Sequence, residues 1–254
     1  MNLSFCITCM NRLYQIKKTL RKNLDDNKNS KYNIEFILVN FNSDDGLTEY
    51  ILNNFRDELK SEYLKFYYTD ELIYWHSSIA KNTAHLLSNN KFIVNLDCDN
   101  FTGLNGGDWL LEKFKEYGDD VVLHQSKYIF GSGTMGRISM TMKNFLKIGG
   151  YDQVLKPMSH QDGDILERCK ANGLKYISLK NENYNNAIKN TKTESLKNCY
   201  GKYDYIRMMK INMAISDFNI KSKEFIANNY FKNKKLGVLE NIYRIKLDEK
   251  IKIK

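Results

Sequence analysis

The sequence predicts an α/β fold in which a mostly parallel central sheet is flanked by helices. Three observations predict it. Apolar strand-like runs fall at 3–9, 34–41, 63–68, 91–97, 120–124 and 137–142, helical stretches alternate with them, and the turns between are short and polar.

In order along the chain, Leu3 to Cys9 is the first strand. A helix follows in which Leu13, Ile16, Leu20 and Leu24 form one apolar face while Lys17, Lys18, Arg21 and Lys22 are left to solvent. The second strand, around Phe36-Ile37-Leu38-Val39, leads into a helix over about 47–59. The third, at 63–68, leads into a helix over about 75–88 that carries His76 and His85 as structural or surface residues. Strand-helix-strand repeats of this kind make parallel sheets, whose ligands bind beyond the carboxyl ends of the strands.

Composition excludes several classes. With 254 residues, 42% of them hydrophobic and 13% aromatic, the chain can bury a real core, which rules out disorder throughout. Its longest apolar runs fall far short of the roughly 20 residues that a membrane span needs. The first residues lack the basic flank and apolar block of a secretory leader, and five scattered cysteines suit reduced thiols, so a cytoplasmic location is expected. Cys6 and Cys9 form a C-x-x-C on a strand with no second pair, which is read as structural.

The formal charge is +9, and residues 221–254 hold ten basic against four acidic side chains, so six of the nine excess charges sit there. With Phe225, Ile226, Tyr230, Phe231 and Leu236 interspersed, this stretch reads either as a basic tail touching an anionic membrane surface or as a solvated helical tail packed on the domain. A helix carrying Tyr205, Met208, Met209, Ile211 and Ile215 precedes it.

Two constellations carry chemistry. The fourth strand ends in Asp97-Cys98-Asp99, and in extended backbone residues i and i+2 point to one side, so both carboxylates converge. Such a pair repels unless a cation sits near it, and Mn²⁺ or Mg²⁺ would bind there through oxygen. A solvated turn of capping aspartates would look the same. In the second, Gln161-Asp162-Gly163-Asp164 opens a helix that stops near Gly173. An aspartate here either caps the helix or, aimed into a cleft, acts as a general base.

Taken in order, six segments resemble the GT-A glycosyltransferases of the family-2 kind over roughly 3–180. They are Phe5 to Arg12, Ile37 to Gly46, Ala80-Lys81-Asn82, Asp97-Cys98-Asp99, Gly149-Gly150-Tyr151-Asp152 and Gln161 to Asp164. The resemblance implies a GT-A catalytic domain over 1–180, with a nucleotide-binding half at about 1–100, an acceptor half at about 101–180, and a helical basic extension over 181–254. It implies Thr8, Arg12, Asn40, Asn42, Lys81, Asn82 and Asp97 at a nucleotide-sugar donor, a Mn²⁺ or Mg²⁺ ion on Asp97 and Asp99, and Asp162 as the base of an inverting transfer. Gly150, Tyr151, His160, Gln161 and Trp109 would border the acceptor, a glycan or lipid-linked glycan of bacterial surface polysaccharide synthesis. A UDP-linked donor is expected, although Asn40-Phe41-Asn42 stands where relatives carry the acid that reads the base, and Gln161 replaces an acid before Asp162. Trp75 is read as a second sugar-stacking aromatic, His124 as a core imidazole, and the glycines of 131–136 as a turn able to close over the donor.

Other classes fit less well. A phosphoryl-transfer hydrolase carries its nucleophilic aspartate at the end of the first strand, where this chain has Cys9-Met10-Asn11. A nucleic-acid-binding module would explain the basic charge, but that charge is confined to the tail without a recognised motif, so no nucleic-acid partner is expected. A non-catalytic glycan-binding relative is the remaining alternative.

Overall fold

The computed structural model describes residues 1–126, 133–201, 204–229, 236–237, 240–247 and 249–253. Gly131 and Ser132 of the glycine-rich turn, and Tyr230 and Phe231 of the tail, lie outside them.

The first half repeats strand and helix: β1 (Asn2–Cys9), α1 (Leu13–Asn27), β2 (Asn33–Phe41), α2 (Leu47–Asn54), α3 (Arg56–Lys60), β3 (Leu64–Thr69), α4 (Ser77–Leu86) and β4 (Phe92–Asn95). The second half contains β5 (Asn100–Phe101), α5 (Gly106–Tyr117), β6 (Val121–His124), β7 (Ile138–Thr141), α6 (Met142–Lys147), α7 (Gln161–Ala171) and β8 (Lys175–Ser178). It ends with β9 (Asn186–Ala187), α8 (Lys192–Leu196), α9 (Tyr205–Lys221), β10 (Ile242–Ile245) and β11 (Lys250–Ile253).

Among the described residues nine strands form one sheet in the order β11-β10-β3-β2-β1-β4-β7-β6-β8, and β5 pairs with β9 separately. The pairs from β3 to β4 are parallel, as expected, and β6 with β8 too; β7 runs antiparallel to both its neighbours. The parallel strands are buried on both faces, and alternate residues feed two cores. Phe5 and Ile7 join Leu20, Leu24 and Leu111 on the side of α1 and α5; Cys6 joins Ala80, Phe145 and Ile165 on the side of α4 and α7. Phe5 stacks on Phe36 with ring centroids 4.9 Å apart.

Two helical expectations shift for local reasons. The helix expected over 47–59 breaks at Phe55, whose backbone leaves the helical region (φ −130°) so that its ring is buried. Helix α4 starts only at Ser77, because the His76 imidazole accepts from the Ile79 amide and caps it. The extension is helical in α8 and α9, but its last strands are not helical. Lys250-Ile251-Lys252-Ile253 has the period of a strand, and β10 and β11 extend the sheet antiparallel past β3, covering an edge that would otherwise present unpaired backbone groups. All five cysteines are free thiols. No described helix is long and apolar enough to cross a membrane.

His85, expected at the surface or as a structural residue, is buried under α4, and its ring stacks on Phe145 at 4.9 Å. Its Nδ1 lies 2.6 Å from the Lys81 carbonyl, which can only accept, so Nδ1 carries the proton. Burial pushes the imidazole pKa down to about 4. The unfolded chain protonates near the ordinary histidine value of about 6.5. Because the folded value is the lower one, the neutral imidazole contributes fully above pH 6.5, and that contribution is lost as the pH falls towards 4. His85→Gln should therefore flatten the decline of unfolding free energy between these limits by about 2–3 kcal/mol. Urea titrations at a series of pH values measure it, and an unchanged slope contradicts the assignment.

Candidate active site

In the order β3-β2-β1-β4 the chain reverses its direction of growth between β1 and β4, which opens a crevice at their carboxyl ends. A cavity of about 360 Å³ lies there. Thr8 reaches it from β1, Arg12 from the turn before α1, Lys81 from α4, Asp97 and Asp99 from the end of β4, and His160, Gln161 and Asp162 from the start of α7.

Lys81 holds these pieces together. Its ammonium, almost wholly buried, lies 2.7 Å from Asp162 Oδ1 and 3.6 Å from Asp97 Oδ1. Burial works against its charge, and the carboxylates of Asp162 and then Asp97 more than reverse that, so its pKa stands above the ordinary lysine value. The Tyr151 ring lies beneath the ammonium, 5.3 Å from centroid to Nζ. Asn95 Nδ2 donates to Asp97 Oδ1 at 3.0 Å and to the Gly136 carbonyl at 2.8 Å. The Gly136 Cα faces the carboxylates so closely that a Cβ there would stand 2.5 Å from Asp97 Oδ2 and 3.2 Å from Asp162 Oδ2.

Asp99 is the less neutralised acid. Its side-chain donors are two neutral amides, Asn100 Nδ2 at 2.6 Å and Asn190 Nδ2. Burial, and then the charge of Asp97, raise its pKa above the usual carboxylate range.

Neither aspartate caps α7. The cap position is His160, in left-handed conformation (φ 66°) directly after Ser159 (φ 77°), and its imidazole lies over Gly163. Two successive non-glycine residues of this kind are strained, and they persist because other contacts hold them. Asn212 of α9 supplies those contacts, with Nδ2 donating to the Ser159 carbonyl at 2.7 Å and Oδ1 accepting from the Lys156 amide at 2.7 Å. Gln161 Nε2 donates to the Lys156 carbonyl at 2.6 Å, so this amide fastens the same loop. Asp164 turns inward to Arg168 at 2.8 Å, leaving Asp162 as the acid of this segment in the cavity.

Several residues expected at the ligand do not line the cavity. Asn40 is buried, its Nδ2 donating to Thr48 Oγ1 at 3.0 Å and its Oδ1 accepting from the Ser43 amide at 2.9 Å, so the turn after β2 uses both ends of its amide. Asn42 accepts from the Tyr68 hydroxyl at 3.2 Å. Asn82 is buried and holds the backbone of Tyr151 through both ends of its amide, at 2.8 Å each. Gly150, left-handed at φ +66°, leaves no room for a Cβ beside Asn82 Oδ1, 2.6 Å away. Asn82, by holding Tyr151, supports Lys81 from below. Trp109 lies elsewhere, stacked on Tyr184 with centroids 4.3 Å apart. Trp75 does line the cavity, and His124 is buried in the core, donating from Nε2 to the Met135 carbonyl at 2.9 Å.

Sequence reading missed the roof. Asn190, Ser195 and Asn198 line the cavity from the stretch between β9 and α9. There the Glu194 carbonyl accepts from Arg12 Nη2 at 2.6 Å, Asn198 Nδ2 donates to the Met10 carbonyl at 2.8 Å, and Gln15 Nε2 donates to Asn190 Oδ1 at 2.6 Å. Met10, Met135, Met158 and Met209 with Trp75 form the apolar wall.

The chain is similar in fold to solved glycosyltransferases. S. aureus TarS 1–349 in complex with UDP-GlcNAc superposes with a TM-score of 0.67 at 16% identity, over 92% of this chain and 74% of that one. Against S. aureus TarS solved beyond that fragment, 44% of the other chain is covered. The mannosyltransferase PcManGT from Pyrobaculum calidifontis, in complex with GDP-Man and Mn²⁺, gives 0.61 at 14% identity, over 91% of this chain and 66% of that one. The catalytic domain of Drosophila β1,4-galactosyltransferase 7, in complex with xylobiose, gives 0.55 at 12% identity over 83% and 79%. No curated protein matches the chain. A family model for glycosyl transferase family 2 matches residues 4–171, the span that carries the switch-point crevice, Lys81 and the two acids that share it, and the protein belongs to that family.

Proposed function

We propose that this glycosyltransferase moves a sugar from a nucleotide diphosphate donor, UDP-linked in the reading adopted here, to a hydroxyl of a glycan or lipid-linked glycan, with inversion at the anomeric carbon. The observation that supports this is the Lys81 ammonium shared between Asp97 and Asp162, two acids in one cavity that we assign to the donor and to the acceptor.

The residues present fit a divalent cation. Asp97 and Asp99 offer hard oxygen ligands, and burial first and the Asp97 charge second raise the Asp99 pKa, a cost to its ionised form that a cation beside the pair would offset. Among the described residues no cluster of three or more His, Cys, Asp or Glu side chains offers a fuller ligand set. Bound there, Mn²⁺ or Mg²⁺ would supply Lewis-acid stabilisation to the departing diphosphate. Arg12 and Lys81 add positive charge on the same side, Arg12 by exchanging the Glu194 carbonyl for a phosphate oxygen.

In the transfer the acceptor oxygen bonds to the anomeric carbon, the bond from that carbon to the diphosphate oxygen breaks, and the hydroxyl proton passes to Asp162. Lys81 occupies Asp162 Oδ1, which leaves Oδ2 for the hydroxyl. Holding both substrates in one cavity contributes much of the rate. Surface polysaccharide synthesis in a bacterium is the setting that would supply such acceptors, and the basic residues of 221–254 would favour an anionic membrane surface nearby.

Three measurements test this. In a thermal-shift panel of nucleotide sugars, one donor should raise the melting temperature with Mn²⁺ present and lose most of that effect in EDTA. A panel with no metal-dependent shift contradicts the donor assignment. Asp99→Asn should abolish metal-dependent donor binding, whereas Asp162→Asn should keep donor affinity and lower kcat by about 10²- to 10⁴-fold; calorimetry with a product assay separates the two, and full turnover in the Asp162 variant removes it as the base. Gly136→Ala should lower kcat/KM by about 10²-fold, because its Cβ must displace the Asp97 carboxylate, with little change in circular dichroism.

A further inference from the structure

A second cleft, of about 740 Å³, opens away from Lys81 between the end of α1, the turn from β5 to α5, and the approach to β9. The short β5–β9 ladder lies between the two spaces: Asp99, just before β5, lines the first, and Phe101 and Asn186, paired across the ladder, line the second.

Its lining combines two chemistries. Phe101, Leu104 and Tyr184 present apolar surface, and Leu104 is 67% exposed. Asn105, Asn183 and Asp26 present amide and carboxylate groups beside them. Asp26 is nine-tenths buried; its Oδ1 takes the Lys22 ammonium at 3.1 Å, and its Oδ2 is buried with no partner.

The platform is rigid. Tyr184 is backed by Trp109, stacked within 14° of parallel. Beneath the ladder the fully buried Arg137 guanidinium donates to the carbonyls of Phe101 and Tyr184, and to that of Asn186 at 3.4 Å. A strong cationic donor spent on three carbonyls of the cleft floor fixes the backbone that carries its side chains, which lowers the ordering cost of binding.

From these observations we infer that the second cleft is a binding site for a neutral oligosaccharide. Aromatic faces pack against the C–H faces of sugar rings, and amides, each both donor and acceptor, match vicinal hydroxyls. Among the described residues the one cation lining the cleft, Lys22, is paired with Asp26, so the lining favours a neutral ligand over a polyanion. The site is independent of the donor and of Asp162, and it can hold glycan whether or not the transfer proposed above takes place.

The chain has two tryptophans, Trp75 in the first cavity and Trp109 behind Tyr184, so the two spaces report separately. With 5-fluorotryptophan incorporated, two ¹⁹F resonances are expected, assigned by Trp75→Phe and Trp109→Phe. Maltotetraose, cellotetraose and chitotetraose are titrated into the intact chain, with a heparin-derived tetrasaccharide as the anionic comparison. At least one neutral probe should move the Trp109 resonance saturably, with Kd on the order of 1 mM, and leave Trp75 in place; UDP with Mn²⁺ should do the reverse. Asn183→Ala, at an exposed position, should weaken the neutral probe several-fold, and Tyr184→Ser should abolish its effect. Unmoved Trp109 with all three neutral probes, shifts confined to Trp75, or equal response to the heparin fragment each overturns the proposal. Failure of the UDP arm alone bears on the donor reading and leaves this one standing.

Discussion

The site depends on one buried ammonium. Lys81 comes from a helix, Asp97 from the end of a central strand and Asp162 from the start of a helix far along the chain, and the three meet because one cation is shared between two carboxylates. Removing either acid leaves a buried charge with less compensation, and removing Lys81 leaves two acids facing each other with a third, Asp99, close behind. The packing around it follows from this requirement. Tyr151 lies under the ammonium, Asn82 fixes the Tyr151 backbone, and the Lys81 carbonyl is bound by His85, whose neutrality its burial ensures. Asn82, expected at the donor, and Tyr151, expected at the acceptor, thus position Lys81, which does face the cavity.

The C-terminal extension is part of the site. Asn212 of α9 holds the strained Ser159-His160 pair and so sets where α7 begins, which in turn sets where Asp162 points. Residues 190–198 close the cavity over Arg12 and Asp99, and β10 and β11 cover the open edge beside β3. A chain ending near residue 180 would keep the parallel core and lose the roof, the support of α7 and the edge cover. The basic charge that seemed to set this extension apart is partly spent locally: Arg244 pairs with Glu62 at 2.9 Å, and Lys250 lies 4.0 Å from the centroid of the Tyr243 ring.

Much of the parallel core was legible because its signals are local. An apolar run buried on both faces reads as a strand, and Asp97 and Asp99 just past β4 mark the end of the sheet at which the cavity lies. The hairpin of β10 and β11 was hidden because its Lys-Ile alternation is indistinguishable in charge count from a solvated basic tail. Asn40 misled because an amide free to read a base and an amide consumed by Thr48 and Ser43 have the same sequence. Trp109 misled because closeness in the chain to Asp99 is not closeness in space when a two-stranded ladder intervenes.

The two sides of the cavity differ in legibility for a further physical reason. On its polar floor Asp97 and Asp99 lie not on β4, which ends at Asn95, but in the turn after it, where the Asn100 amide donates to the Asp97 carbonyl at 2.9 Å, so a tight turn and not strand alternation brings the two acids to one cavity. Its apolar wall is assembled from Met10, Trp75, Met135, Met158 and Met209, which come from five separate segments. A methionine has three rotatable bonds and no fixed geometry, so no spacing rule ties these residues to one another, and each alone reads as ordinary core. Acids must meet at defined distances and therefore leave a pattern, whereas a wall that only excludes water and adapts its shape constrains composition more than order. Motifs accordingly mark where charged side chains meet in this enzyme, and the apolar wall of the cavity becomes visible only in the fold.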